Sequence, residues 1–210
     1  MTARVPLLSL VGMALLLANC STSTPVSLDY RANLVRIVPG PRVASAGRFA
    51  NLRGTEDYKL GTVRTPIGTP LETVVTRVPV AEVVRNCFAY GLKSRQMLVD
   101  QGTAPYIVTG EVLELYCQQL VHPYAFCKVR VNVVRAGSGQ VVFSRVYQAE
   151  REASAYLPLT GSPVPQLREL TSRALQHVVD QALDDAALRA SMRGPGGIAS
   201  APRPPSRPRA

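Results

Sequence analysis

Phe126–Arg135 reads Phe-Cys-Lys-Val-Arg-Val-Asn-Val-Val-Arg, and through it the side chains alternate in character. Cys127, Val129, Val131 and Val133 fall on one face, and Lys128, Arg130 and Asn132 on the other. A period of two specifies a strand with one face buried and one wet. Working outward, Pro123 marks a turn before it and Ile107–Gln118 a preceding strand. On the other side Ala136-Gly137-Ser138-Gly139 is a turn, followed by a third strand over Gln140–Glu150. These segments predict an antiparallel meander.

Helical periodicity flanks the meander. From Pro79, well placed in a first helical turn, Val80, Val83, Val84, Cys87, Phe88, Gly91 and Leu92 recur at helical spacing. Glu82, Arg85, Lys93 and Arg95 are read as the polar face. The pattern predicts a helix of about twenty residues, ended by Asp100, Gly102 and Pro105. Near the carboxyl end, Leu167, Leu170, Ala174, Leu175, Val178, Val179, Ala182, Leu183 and Ala186 form a second stripe. Ahead of Pro79 the signal is weaker. Val26–Val38 suggests two short extended stretches, Arg42–Arg53 a strand, and Leu60–Arg64 a short strand or hairpin arm before the Pro66–Pro70 punctuation. Two amphipathic helices need a sheet face to cover. The expectation is an α/β (α+β) two-layer sandwich, its mixed or antiparallel sheet covered by two long helices.

The chain has 210 residues, 46% hydrophobic and 18% charged, which fits a globular domain and argues against a largely disordered chain. Its 24 basic and 14 acidic residues give a formal charge of +10. All the basic residues except Lys59, Lys93 and Lys128 are arginine. A solvated, arginine-biased surface accounts for this. The sharper reading is attraction to anionic lipid headgroups. Nucleic acid is not expected as a partner of an exported chain.

Export is read from the amino terminus. Arg4 precedes the apolar run Val5–Ala18, which is short for a membrane span and suited to a signal peptide. The run leads into Leu17-Ala18-Asn19-Cys20, which resembles the lipobox of bacterial lipoproteins. That resemblance implies cleavage before Cys20 and a diacylglycerol on its thiol, with a further N-acyl chain. Asn19 departs from the small residue usual there. A non-lipidated cleavage site fits badly, because Leu16 stands where a small residue belongs, and an uncleaved anchor would be longer. Ser21 after the cysteine implies the outer membrane, facing the periplasm. The expected organisation is a signal peptide over 1–19, Cys20 with a polar tether over 20–25, one domain over 26–192, and a disordered Pro/Arg tail over 193–210. The tail is either a frayed terminus or a contact for anionic lipid.

Cys87, Cys117 and Cys127 remain for an oxidising compartment. A hairpin symmetric about His122 would set Cys117 opposite Cys127, at bridging distance. The other reading is that both are reduced core thiols. His122 and His177 lack clustered partners at metal spacing, so no metal site or other cofactor is expected. Glu111 and Glu114, three apart on a strand, should point to opposite faces, and Asp184-Asp185 reads as solvated. No hydrolase elbow, phosphate loop or zinc-protease motif occurs, and no enzyme is expected.

Four segments carry a wider resemblance. They are VSLDY at Val26–Tyr30, PVAEVVRNCFAYGL at Pro79–Leu92, PYIVTGEVLELYCQQL at Pro105–Leu120 and LRELTSRALQHVVDQAL at Leu167–Leu183. Together they resemble the YajG-type family of small bacterial lipoproteins and, more distantly, auxiliary lipoproteins of envelope lipid-transport systems. The resemblance implies an α/β domain, a membrane anchor and a non-catalytic role. The resulting expectation is an accessory or scaffolding subunit with an envelope protein partner. The alternative is a small-ligand or lipid binder with a pocket between helices and sheet.

Overall fold

The computed structural model describes residues 22–32, 37–100, 102–154 and 161–193. The leader, Cys20 and the Pro/Arg tail lie outside the described residues. The strands are β1 (Thr22–Val26), β2 (Ala44–Asn51), β3 (Lys59–Arg64), β4 (Pro70–Thr76), β5 (Tyr106–Gln119), β6 (Pro123–Arg135) and β7 (Val141–Glu152). The helices are α1 (Val80–Ser94), α2 (Val164–Asp184) and the short α3 (Ala186–Ser191).

All seven strands form one mixed sheet in the order β1-β4-β3-β5-β6-β7, with β2 paired to β5. The predicted meander is its antiparallel side. β6 occupies one edge of β5 along its length, so β2 and β3 share the other. β2 runs parallel to the first half of β5, and β3 pairs in parallel through Gly61, Thr62 and Val63 with Cys117, Gln118 and Gln119. Gly61 is required there, because a Cβ at that position would lie 1.7 Å from the Cys117 carbonyl oxygen.

Both long helices lie on one face, α1 over β2 and β5, α2 over β5, β6 and β7. The predicted stripe of α1 is buried at every position, from Val80 to Leu92. Phe88 stacks on Phe49 of β2, with ring centroids 4.9 Å apart. Gly91 lets α1 approach Leu183 and Val179 of α2 closely. The α2 stripe is buried through Leu183, but Ala186 is exposed, because the helix breaks at Asp185. The side chain of Asp185 then caps α3 by accepting from the Ala187 N–H.

α1 ends at Ser94, earlier than expected. Gln96 takes a left-handed conformation (φ 57°), Met97 N–H donates to the Leu92 carbonyl, and Gln96 N–H donates to that of Lys93. This pairing is the Schellman closure of a helix. β3 is the arm of a hairpin, one of its two expected readings; its partner β4 was not anticipated, and follows directly on the Pro66–Pro70 stretch that serves as the turn. The expected tether also needs correction. Thr22–Val26 is a strand paired in parallel with Glu72–Thr76. Polarity suggested a tether, but threonine favours strands and the edge of β4 offers a partner.

Candidate functional site

Three arrangements stand out: the anchor-side strands, a strap across the helices with its polar tie, and the bare face of the sheet. At the anchor side, β1 begins at Thr22, two residues after Cys20. Thr24 Oγ1 donates to Glu72 of β4, and Glu72 also accepts from Ser162 Oγ at 3.2 Å, just ahead of α2. Arg53 fills the step between β2 and β3. Its Nη1 donates to the carbonyls of Lys59 (2.7 Å) and Leu115 (2.8 Å), and its Nε to Asn51 Oδ1 (2.8 Å). A guanidinium thus substitutes for a missing ladder partner of β5, and its burial lowers the Arg53 pKa.

After β1 the chain crosses the helices as a strap. Asp29 N–H donates to Ser172 Oγ (3.3 Å), and the Tyr30 hydroxyl to Asp180 Oδ1 (2.7 Å). Beneath the strap, Arg95 is wholly buried rather than on the polar face where the sequence pattern placed it. Its guanidinium meets Asp184 in a fork, Nε to Oδ1 at 2.8 Å and Nη2 to Oδ2 at 2.6 Å, and Nη2 also reaches Asp180 Oδ1 at 3.0 Å. Burial alone would lower the Arg95 pKa. The hydrogen bonds it donates to Asp184, Tyr30 and Asp180 outweigh it and raise the pKa, so the cation persists. Burial and the Asp180 bond push the Tyr30 hydroxyl up to about 12.

Asp184 is both solvated, its side chain 40% exposed as expected, and ion-paired, whereas the Asp185 side chain is largely covered and not solvated as the sequence suggested. Asp184 also accepts from Arg189 (2.8 Å), and Asp185 accepts from Arg145 and from the Tyr147 hydroxyl, both at 2.6 Å. Spacing did signal part of this tie: Asp180 and Asp184 are one helical turn apart. Nothing local in the sequence pointed to Arg95 as their partner.

Of the two readings of Cys117 and Cys127, the structure has the reduced core thiols and not the bridge. The hairpin centres on Val121, so Cys117 faces Ala125 while Cys127 faces Leu115, two residues out of step. Cys87, Cys117 and Cys127 are buried free thiols. Burial raises the Cys87 pKa to about 12 and that of Cys117 to about 11, and raises that of Cys127 as well, which leaves little reactive thiolate. His177 is exposed on α2, near Asp180 and Arg151, and His122 lies in the hairpin turn. Among the described residues, no three His, Cys, Asp or Glu side chains gather as a metal-ligand set.

The bare face holds a second correction. A bulge at Leu113 shifts the register of β5, so Glu111 and Glu114 share the outer face instead of opposing one another. Glu111 pairs with Arg130, and Glu114 with Lys128 at 3.5 Å. The carboxylates are matched to cations rather than to each other.

Between helices and sheet the space is filled by one continuous core, from Phe49 and Phe88 to Val131 and Leu175. That counts against a ligand pocket between the layers. Open grooves lie at the surface, one of about 520 Å³ lined by Val26, Leu28, Tyr30, Val78, Cys87 and Tyr90 among others. Among the described residues, no helix is long and apolar enough to cross a membrane.

No family model matches the chain, and no curated protein matches it. One of the solved structures compared by superposition has a similar fold. A crystal structure of a Xanthomonas campestris protein assigned to the family model DUF330 superposes with a TM-score of 0.58 at 13% identity, covering 80% of this chain and 96% of that one. A minor lipoprotein from Acinetobacter baumannii gives 0.38 at 13% identity over 64% of this chain and 93% of that one. A candidate lipoprotein from Caulobacter crescentus gives 0.40 at 16% identity over 54% and 83%. At 13% identity the likeness to the Xanthomonas campestris protein is one of fold alone.

Proposed function

We propose that this chain is a non-catalytic envelope lipoprotein, held at a bilayer through acyl chains on Cys20. In this reading it serves as an accessory or scaffolding subunit of an envelope assembly or transport complex, on the outer membrane and facing the periplasm. The observation that carries the reading is the apolar leader Val5–Ala18, closing on Cys20 immediately ahead of a folded domain. Two or three acyl chains give stable attachment where one is marginal, since each buried CH₂ contributes about 0.8 kcal/mol. Attachment confines the domain to a surface and raises its effective concentration near membrane-bound partners.

Other features support a binding rather than a reacting role. The buried thiols are held protonated, the outer carboxylates are neutralised by arginine and lysine, and the layers enclose a filled core. The YajG-type resemblance belongs to the same reading. Its test is the Cys20→Ser chain beside the native one in cells fed radiolabelled palmitate. The native chain should take up label and sediment with membranes, and the variant should do neither. Equal fractionation of the two, with label in neither, would overturn the proposal.

A further inference from the structure

One end of the sheet collects exposed apolar side chains beside the start of the chain. β3 and β4 are joined by the turn Thr65–Thr69, and β3 runs parallel to β5, whose own hairpin turns at Leu120, Val121 and His122. Adjacent strands stand about 5 Å apart, so the two turns are neighbours. Ile67 at the first tip is 89% exposed, the most exposed large apolar residue described, and Leu71 beside it is 54% exposed. Leu120 and Val121 at the second tip are 48% and 62% exposed.

The Ile67 turn is rigid. Thr65 N–H donates to the Thr69 carbonyl (2.9 Å), Gly68 N–H to that of Thr65 (2.8 Å), and Arg64 Nη1 to that of Gly68 (3.0 Å). A well-bonded turn that holds an isoleucine away from every neighbour displays it. Exposed apolar clusters of this kind mark interaction surfaces.

Covalent geometry supplies the occupant. β1 is parallel to β4 with Thr22 opposite Glu72, so the chain enters the fold at this same end. Two residues of chain reach at most about 7 Å, which keeps Cys20 within that distance of Thr22. The Ile67 turn projects beyond Glu72 by about 10 Å, from the strand rise over the intervening residues. Cys20 can therefore stand no farther out than the tips do. With Thr22–Val26 bound into the sheet, no slack remains to lift the tips away from a bilayer that holds Cys20.

From this juxtaposition, and resting on the lipid-anchor reading above, the geometry points to a membrane-contact surface: the tips carrying Ile67, Leu71, Leu120 and Val121 seat in the lipid interface around the acylated Cys20. The sheet then stands end-on to the bilayer. The far end, where α2 finishes at Asp184, faces away and is left for partners.

The chain contains no tryptophan, so single tryptophans report without background. Ile67→Trp, Val121→Trp and, at the opposite end, Val141→Trp are exposed positions that do not disturb the core. Each full chain, matured in cells and extracted in detergent, is reconstituted into phosphatidylethanolamine–phosphatidylglycerol vesicles with brominated acyl chains. The mass of Cys20 is measured on the same sample. The expected result is a blue shift and bromine quenching for Ile67→Trp and Val121→Trp, and neither for Val141→Trp. Acylated Cys20 with all three emissions unquenched would overturn the membrane-contact surface alone and leave the tips to a protein partner. Absence of the acyl mass would overturn the anchor reading and this inference with it.

Discussion

The β5–β6–β7 meander and the β1–β4–β3 wing belong to one sheet but are secured differently. In the meander, long strands pair almost end to end, and one face is sealed by α2. The wing joins β5 through Gly61, Thr62 and Val63, with Arg53 bracing the step beside them. Cooperative stability should therefore reside in the meander and helices, and the wing should open at lower cost. The wing also carries β1 and the Ile67 tip, so on the proposed reading the weaker part of the fold is the part nearest the membrane.

The largest effect is expected where the join has no room. In Gly61→Ala the added Cβ collides with the Cys117 backbone, which gives it nowhere to move, and the free energy of opening β3 and β4 should fall by more than about 3 kcal/mol. Hydrogen exchange would show β3 and β4 amides losing protection while the centre of β6 retains it. Equal loss in both would erase the distinction between wing and meander.

Asp184→Ala strikes the other side. It leaves the buried Arg95 cation with fewer partners, and global stability in urea should drop by about 3 kcal/mol, the lower end for a broken buried pair because Asp180 remains. Arg95→Met, which removes the charge, should cost less. The reverse order would show that the tie acts through packing rather than through its charge. Arg53→Met should be milder still. Losing charged donors to the Lys59 and Leu115 carbonyls should cost about 2 kcal/mol in wing opening, again by hydrogen exchange, and leave β6 and β7 amides unchanged. The smallest effect is expected on the bare face. Lys128→Ala removes a half-exposed pair with Glu114, and urea stability should change by less than about 1 kcal/mol.

How much of this was legible in the sequence follows from the same division. The meander and both helical stripes were readable because burial on one face imposes a period, as Val129, Val131 and Val133 show. The wing was poorly readable. β1 looks like a polar linker, and β4 emerges directly from a proline-flanked turn; both are strands because partners from distant sequence lie alongside. The disulfide that does not form and the misplaced glutamates share one cause. Strict counting along β5 and its hairpin ignores a bulge at Leu113 and a turn centred one residue earlier than His122. The charged residue at the end of α1 was misread because Arg95 gains its partners from α2 and the strap, which no local pattern encodes. Of the candidate site, the Leu17–Cys20 signature was visible from sequence, whereas the cluster of exposed hairpin tips required the topology.

The reading depends most on the sulfur at position 20. Mass spectrometry of the amino-terminal proteolytic peptide from membranes tests it directly. The account predicts a peptide that begins at Cys20 and carries the mass of a diacylglycerol and an N-acyl chain. An unmodified Cys20, or a peptide that still includes Leu17-Ala18-Asn19, would contradict it.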